Sequence, residues 1–364
     1  MRDKQLSRHW AQYQPLLFQL EDPELVFTQS LQRLLIVLDT IAPENYQVLH
    51  AQPLTGRRRI DRVAMMRVFI AKAVLKIADN KFIRDRLLVD YTLRRICGFT
   101  CRSSVPCEGT FTNVMNEFSQ SGLIPEMHED LIRGYLGDLL LEHVNRDATA
   151  IAAREKAAAK PPKEPKKPKK RGRPKKGEEP QTPPRRIELQ PHMTLDEMLD
   201  DLPKQCDYGT KKNAKGVKET WRGYKLHLDV EDHGIPLSYI VTSASTHDSQ
   251  AAIPLETMTM QRVCSLYSLM DAGYVSADIS NYVESFGKVP VIYPKKEKGK
   301  DFIPLDPAKV ERFKNRTVVE RANSRVKDDL VCKDFRYRGI LKVGMHIGVS
   351  ILVLAAEQIA RHLI

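Results

Sequence analysis

The fifteen residues FKNRTVVERANSRVK at 313–327 constrain this chain more than any other stretch. Wound as an α-helix, they set Arg316, Glu320, Asn323 and Lys327 at about 0°, 40°, 340° and 20°, so that one face carries a carboxylate between cations. Taken plainly, that is a solvated face with an i,i+4 Arg/Glu pair. Taken chemically, it suits a metal ion and a phosphate.

With 364 residues the chain can bury a full core, and two domains are expected, one of them large. A formal net charge of +12 favours a polyanionic partner. Polar and charged residues interrupt every run before Leu20, which is not the order of a secretion signal. The longest apolar stretch, VGMHIGVSILVLAA at 343–356, has 14 residues with a histidine inside it, too short for a membrane span and suited to a buried core helix. The expectation is a soluble, cytoplasmic protein with no membrane partner. The C-x3-C-x5-C spacing of Cys97, Cys101 and Cys107 is not a usual paired-ligand zinc pattern, and free thiols in a reducing compartment fit better.

Helical periodicity predicts a helix over 31–41, a second within 60–80, a third over 81–99 stopped by Gly98, and a fourth over 110–120. Such an all-α module serves either packing and dimerisation or DNA-end recognition, Arg94 and Arg95 lying beside a turn. In LIRGYLGDLLLEHVNRDATAIAA at 131–153 the period changes: a helix through Leu140 gives way to a short stretch over 143–149 containing Asp147. The small residues after Asp147 leave space around its carboxylate, although an ordinary cap is the plain alternative.

The segment 154–186 carries 14 Lys or Arg against four Glu and holds eight prolines, so it is expected to be disordered alone. Within it, KKRGRPKK at 169–176 resembles an AT-hook: Gly172 allows close approach to the minor-groove floor, and Arg171 and Arg173 supply charge and width-reading contacts, followed by Lys175 and Lys176. A generic basic linker is the alternative. Either raises DNA affinity.

Further on, TLDEMLDDL at 194–202 reads as a short helix, and CDYGTKKNAKGVKETW at 206–221 as a basic, turn-like segment. Strands over 222–230 and 235–244 form an antiparallel hairpin. His247-Asp248 is either a metal or acid-base pair or a helix cap, with Asp248 the capping residue. The apolar run SLYSLM ends on Asp271, at the strand edge where ligands bind in α/β sheets. A last strand over 288–296 leads to a basic loop with Lys295, Lys296, Lys298 and Lys300. Asp207 competes with Asp147 as the first acid, but no strand-like apolar run precedes it.

The Arg316-x3-Glu320-x6-Lys327 spacing with an aromatic at 313, the D-x-G-Y of 271–274, and the paired strands before His247-Asp248 together resemble DDE transposases of the IS4/IS5 (IS1182-like) type. Residues 60–120 resemble an IS5-like N-terminal domain. Phe313 stands where the signature most often has Tyr. The resemblance implies an α/β protein with an RNase H-like catalytic core over 131–364, interrupted by the 154–186 insertion, and an N-terminal all-α domain over 1–130 for DNA-end binding or dimerisation. It implies that Asp147, Asp271 and Glu320 are the catalytic metal ligands. An oxygen-only donor set fits Mg²⁺, with Mn²⁺ as substitute and two ions in all. Arg316 and Lys327 would hold phosphate oxygens, and Arg171, Arg173, Lys175 and Lys176 would bind DNA. The implied activity is cleavage of an element's terminal inverted repeats and joining of the 3′-OH ends to target DNA by a homodimer. Alternatives are a metal-dependent nuclease of the same fold and a domesticated, non-catalytic DNA-binding protein.

Overall fold

A computed structural model describes residues 27–52, 55–56, 58–159, 184–212, 216–294, 304–330 and 335–362. The strand that carries Asp147, β1 (Leu140–Ala152), runs through the middle of one sheet. After β2 (Asp207–Lys212) comes β3 (Lys218–Val230), antiparallel to β1 with Leu228 opposite Asp147. β4 (Pro236–Ser243) pairs antiparallel with the second half of β3, and β2 with its first half. On the other side of β1, β5 (Cys264–Met270) and then β6 (Val289–Ile292) run parallel to it. The β3–β4 turn is held by Glu231, whose Oε1 accepts the N–H groups of His233 and Ile235 at 2.8 and 3.0 Å, while Gly234 takes φ +85°.

Helices cover the sheet. In the N-terminal part lie α1 (Gln29–Ile41), α2 (Arg62–Val74), α3 (Asn80–Val89), α4 (Tyr91–Ile96), α5 (Glu108–Gln120) and α6 (Leu123–Leu136). The stretch expected as one helix over 81–99 is two. Asp90 takes the N–H of Leu93 at 2.9 Å and starts α4, and the Arg94 guanidinium donates to the carbonyls of Leu87 and Leu88, closing the end of α3. Later come the short α7 (Arg186–Leu189), α8 (Leu195–Asp201), α9 (Ala252–Met260), α10 (Ala277–Ser285), α11 (Pro307–Phe313), α12 (Thr317–Ser324) and α13 (Ile340–His362).

α13 is long and apolar enough to cross a membrane, yet it lies against α6, α1, α5, α2 and β4, and most of its length is buried. It is the core helix that its composition suggests, extended to 23 residues. A single apolar core consequently runs from Leu31 in α1 through β3 to Ile359 in α13.

Three boundaries differ from the sequence expectation. The helix before β1 stops at Leu136, and β1 spans 13 residues with Asp147 inside the strand. Its buried centre is His143-Val144-Asn145-Arg146, too polar for a hydropathy pattern to reveal. Residues 207–212 are a strand and not a turn, hidden because the β2–β3 ribbon exposes most of its length and lacks apolar alternation. At 247–251 the cap is His247, accepting the Ser249 N–H, while Asp248 Oδ1 accepts from Lys225 Nζ at 2.8 Å. Cys97, Cys101, Cys107, Cys206 and Cys264 are free thiols.

Candidate active site

Strand register brings the first two acids together. Asn145 pairs with Leu269, and Asp147 and Asp271 each lie two residues further along their parallel strands. Asp271 follows the last residue of β5, where its Oδ1 accepts the Gly273 N–H at 2.8 Å and caps the turn at Ala272–Tyr274. Glu320 arrives on α12. The helical stretch that bears it is not a uniform α-helix: a 3-10 turn spans Lys314–Arg316 and a π turn Arg325–Asp329. Lys327 lies within that π turn and is half-buried.

Arg316 joins the three acids. Its Nη2 donates to Asp147 Oδ1 at 2.7 Å and stands 3.9 Å from Asp271 Oδ2, while Nη1 donates to Glu320 Oε1 at 3.0 Å. Asn323 Nδ2 donates to the other Asp147 oxygen at 3.0 Å. The acids thus surround one guanidinium, which leaves the cluster with a surplus of negative charge. Burial pushes the Asp147 carboxyl up to about 6 despite Arg316, and the nearby Asp271 charge adds to the rise. Buried Arg316 Nε, Asn323 Oδ1 and the Tyr274 hydroxyl have no hydrogen-bond partner among the described residues. Burial, with the Asp248 and Asp147 charges, raises the Tyr274 phenol well above its usual range. Orphaned polar atoms around an electron-rich cluster are what a site for a cation and a polar ligand looks like from the protein side.

A second layer lies on the opposite face of β1. Arg146, fully buried, grips Asp229 with Nε at 2.7 Å and Nη2 at 2.6 Å, and Nη2 also reaches Glu256 Oε2 at 2.8 Å. Thr259 donates to Asp229, and Lys288 and Ser268 to Glu256. Upstream on the Asp147 face, His143 Nδ1 donates to Asp232 Oδ2 at 2.8 Å and its Nε2 is 3.6 Å from Glu142 Oε1, a grouping close enough to share a metal ion. Sequence reasoning missed both clusters, because most of their members are far apart in the chain and meet only when α9 and β5 pack beside the β1–β3 pair and the β3–β4 turn brings Asp232 to His143.

Asp207 lies elsewhere. It pairs with Gly223, five positions along β3 from the Leu228 that faces Asp147. Arg171, Arg173, Lys175, Lys176 and the lysines at 295–300 fall outside the described residues.

Two family models match the chain: a transposase DDE domain over residues 188–355 and a transposase domain (DUF772) over residues 26–117. The chain belongs to the DDE transposases. No curated protein and no solved structure matches it. DDE transposases act on transposon-end DNA, and their DDE domains generally use divalent metal ions. The DDE-domain match includes Asp271 and Glu320 and begins after Asp147, which the 154–186 insertion separates from the rest of the sheet.

Proposed function

We propose that this transposase cleaves the terminal inverted repeats of an insertion sequence of the IS4/IS5 type and joins the 3′-OH ends to target DNA, using Asp147, Asp271 and Glu320 as metal ligands. The observation that carries this reading is the convergence of three carboxylates from β1, the end of β5 and α12 on one guanidinium. The sheet order β4-β3-β1-β5-β6, with only β3 antiparallel to its neighbours β1 and β4, supports an RNase H-like core. Residues 131–364 form the catalytic domain in this reading, and 1–130 the domain for end binding or dimerisation.

The donor set is all oxygen, so Mg²⁺ fits, with Mn²⁺ as substitute and a pair of ions. When bound, such ions supply Lewis-acid activation of the attacking oxygen and charge stabilisation at the departing one. The protein's own groups do the rest. Asn323 fixes one Asp147 oxygen so that the other faces the cluster. Arg316 balances the acids, and its guanidinium, with Lys327 on the following turn as a second contact, would hold phosphate oxygens of the bound end. The protein acts as a homodimer on cytoplasmic, nucleoid DNA.

Purified protein should nick duplex DNA carrying the repeats that flank its own reading frame in Mg²⁺, and cleavage should stop with EDTA. Equal cleavage in EDTA sinks the metal assignment. Cleavage without joining, in a strand-transfer assay, makes the protein a nuclease instead. The insertion at 154–186 contributes affinity: Arg171→Ala with Arg173→Ala should lower the salt slope of binding to A·T-rich duplex by about 0.9 for each phosphate the side chains no longer neutralise, with chemistry at saturating DNA intact. Identical isotherms across a salt series would reject the minor-groove assignment.

A further inference from the structure

The β2–β3 ribbon has no role in the chemistry above, and its construction is unusual for this sheet. Up to Gly223, β3 is flanked by β1; from Gly223 back to Lys218 it pairs with β2 alone. Thr210, Lys211, Lys218, Glu219 and Thr220 are exposed on both faces of this two-stranded extension, and no sheet or helix among the described residues covers either face. A bare ribbon is normally marginal in water. Here its base is stiffened: the Trp221 ring lies over Gly209, where a Cβ would overlap it, and Trp221 Nε1 donates to the Tyr224 carbonyl at 3.1 Å. A preformed, solvated arm is therefore built into the fold.

Its direction matters as much as its shape. β1 runs from Asp147 towards Ala152, opposite Gly223, and β5, parallel to β1, runs the same way and ends at Met270, immediately before Asp271. The ribbon therefore projects from the sheet edge that carries the acids. Leu228 faces Asp147, so the ribbon begins about 17 Å along the strand from that carboxylate and reaches about 34 Å at Lys218, at about 3.4 Å per residue. One turn of duplex DNA is also about 34 Å. Over 207–223 the sequence holds Lys211, Lys212, Lys215, Lys218 and Arg222 against Asp207 and Glu219. A two-stranded ribbon fits the major groove of B-DNA, and lysines at its edges supply phosphate contacts. Edge lysines also discourage strand-to-strand aggregation, but that role does not require an arm stiffened at its base and aimed along the acid-bearing edge.

We infer that the β2–β3 ribbon is a DNA arm that enters the major groove of the transposon-end duplex within one helical turn of the phosphate being cut. The inference rests on the cleavage reading above and adds where the duplex runs. Lys211 and Lys218, which the register puts on opposite faces of the ribbon, contact the phosphates on either side of the groove, and the paired Thr210 and Thr220, on the Lys218 face, meet one wall.

The test uses the full chain and a 60-bp duplex carrying the element's own end. Lys211→Ala with Lys218→Ala should reduce the salt slope by about two units and weaken binding several-fold. It should also remove hydroxyl-radical protection about one turn from the cut while protection at the cut persists. Glu219→Lys, which adds a cation opposite Lys211 on its exposed face, should steepen the slope by about one unit. These side chains are exposed, so thermal melting should match the parent. A parent that neither binds nor cuts the duplex defeats the cleavage reading itself. A parent that binds and cuts, beside ribbon variants with the parent's slope and footprint, overturns the arm alone.

Discussion

Asp147→Asn is expected to lower metal-dependent cleavage by orders of magnitude while DNA binding stays near normal. The substitution keeps the side-chain volume and can keep the contact with Asn323, but it removes the charge that Arg316 balances and that a hard cation requires. Asp207→Asn should have only a modest effect, since Asp207 sits five register positions away, where β2 joins the ribbon. Both variants need single-turnover assays at saturating end DNA over several Mg²⁺ concentrations. A dead Asp207 variant beside an active Asp147 variant would move the start of the site to Asp207. A second readout needs no DNA. Burial holds the folded Asp147 carboxyl at about 6, above its ordinary 3.8, so the folded state binds the proton more tightly than the unfolded chain. The ionised carboxylate therefore costs stability increasingly as pH rises from 3.8 to 6, and the cost is complete above that range. Metal-free Asp147→Asn should melt a few degrees above the parent at pH 8 and lose most of that advantage near pH 4.

What is legible in the sequence follows from how each residue is held. Asp271 can be read because an apolar strand runs straight into it and a glycine turn follows, a local pattern that needs no tertiary partner. Glu320 can be read because helical spacing alone puts it on the Arg316 face. The π turn at Arg325–Asp329, which follows Glu320, cannot be foreseen from spacing. β1 reads as shorter than it is: its buried centre is His-Val-Asn-Arg, and polar side chains are stable there only because distant residues satisfy them. β2 looks like a turn because both faces of its ribbon meet solvent, which removes the alternation by which half-buried strands are recognised. The central position of Arg316 is hidden for the opposite reason: its spacing shows the Glu320 contact, but the Asp147 contact spans 169 residues.

Arg146→Ala should cost about 3–5 kcal/mol of folding stability, the usual penalty for leaving a buried charge without its partner. Arg146 is opposite Asp229 in the β1–β3 register and also bonds Glu256, so its loss strands two carboxylates that water does not reach, with Lys288 left to serve Glu256 alone. Burial pushes the Glu256 carboxyl up, but Arg146 and Lys288 more than offset it and hold it below its ordinary 4.5. A depressed folded value means that this carboxylate stabilises the protein above 4.5 and that the contribution is lost as pH falls through the folded value. The parent should therefore lose stability steeply in acid, and Arg146→Ala, already without much of that contribution, should show a shallower decline. Urea titrations of both proteins at pH 7 and across the acid range measure each part. Arg146→Lys, which retains a cation but cannot span Asp229 with two parallel bonds, should fall between them. If Arg146→Ala matches the parent in midpoint and in acid slope, the network is not what seats β1. The placement of Asp147, the next residue on that strand, would then have to come from α12 and Arg316.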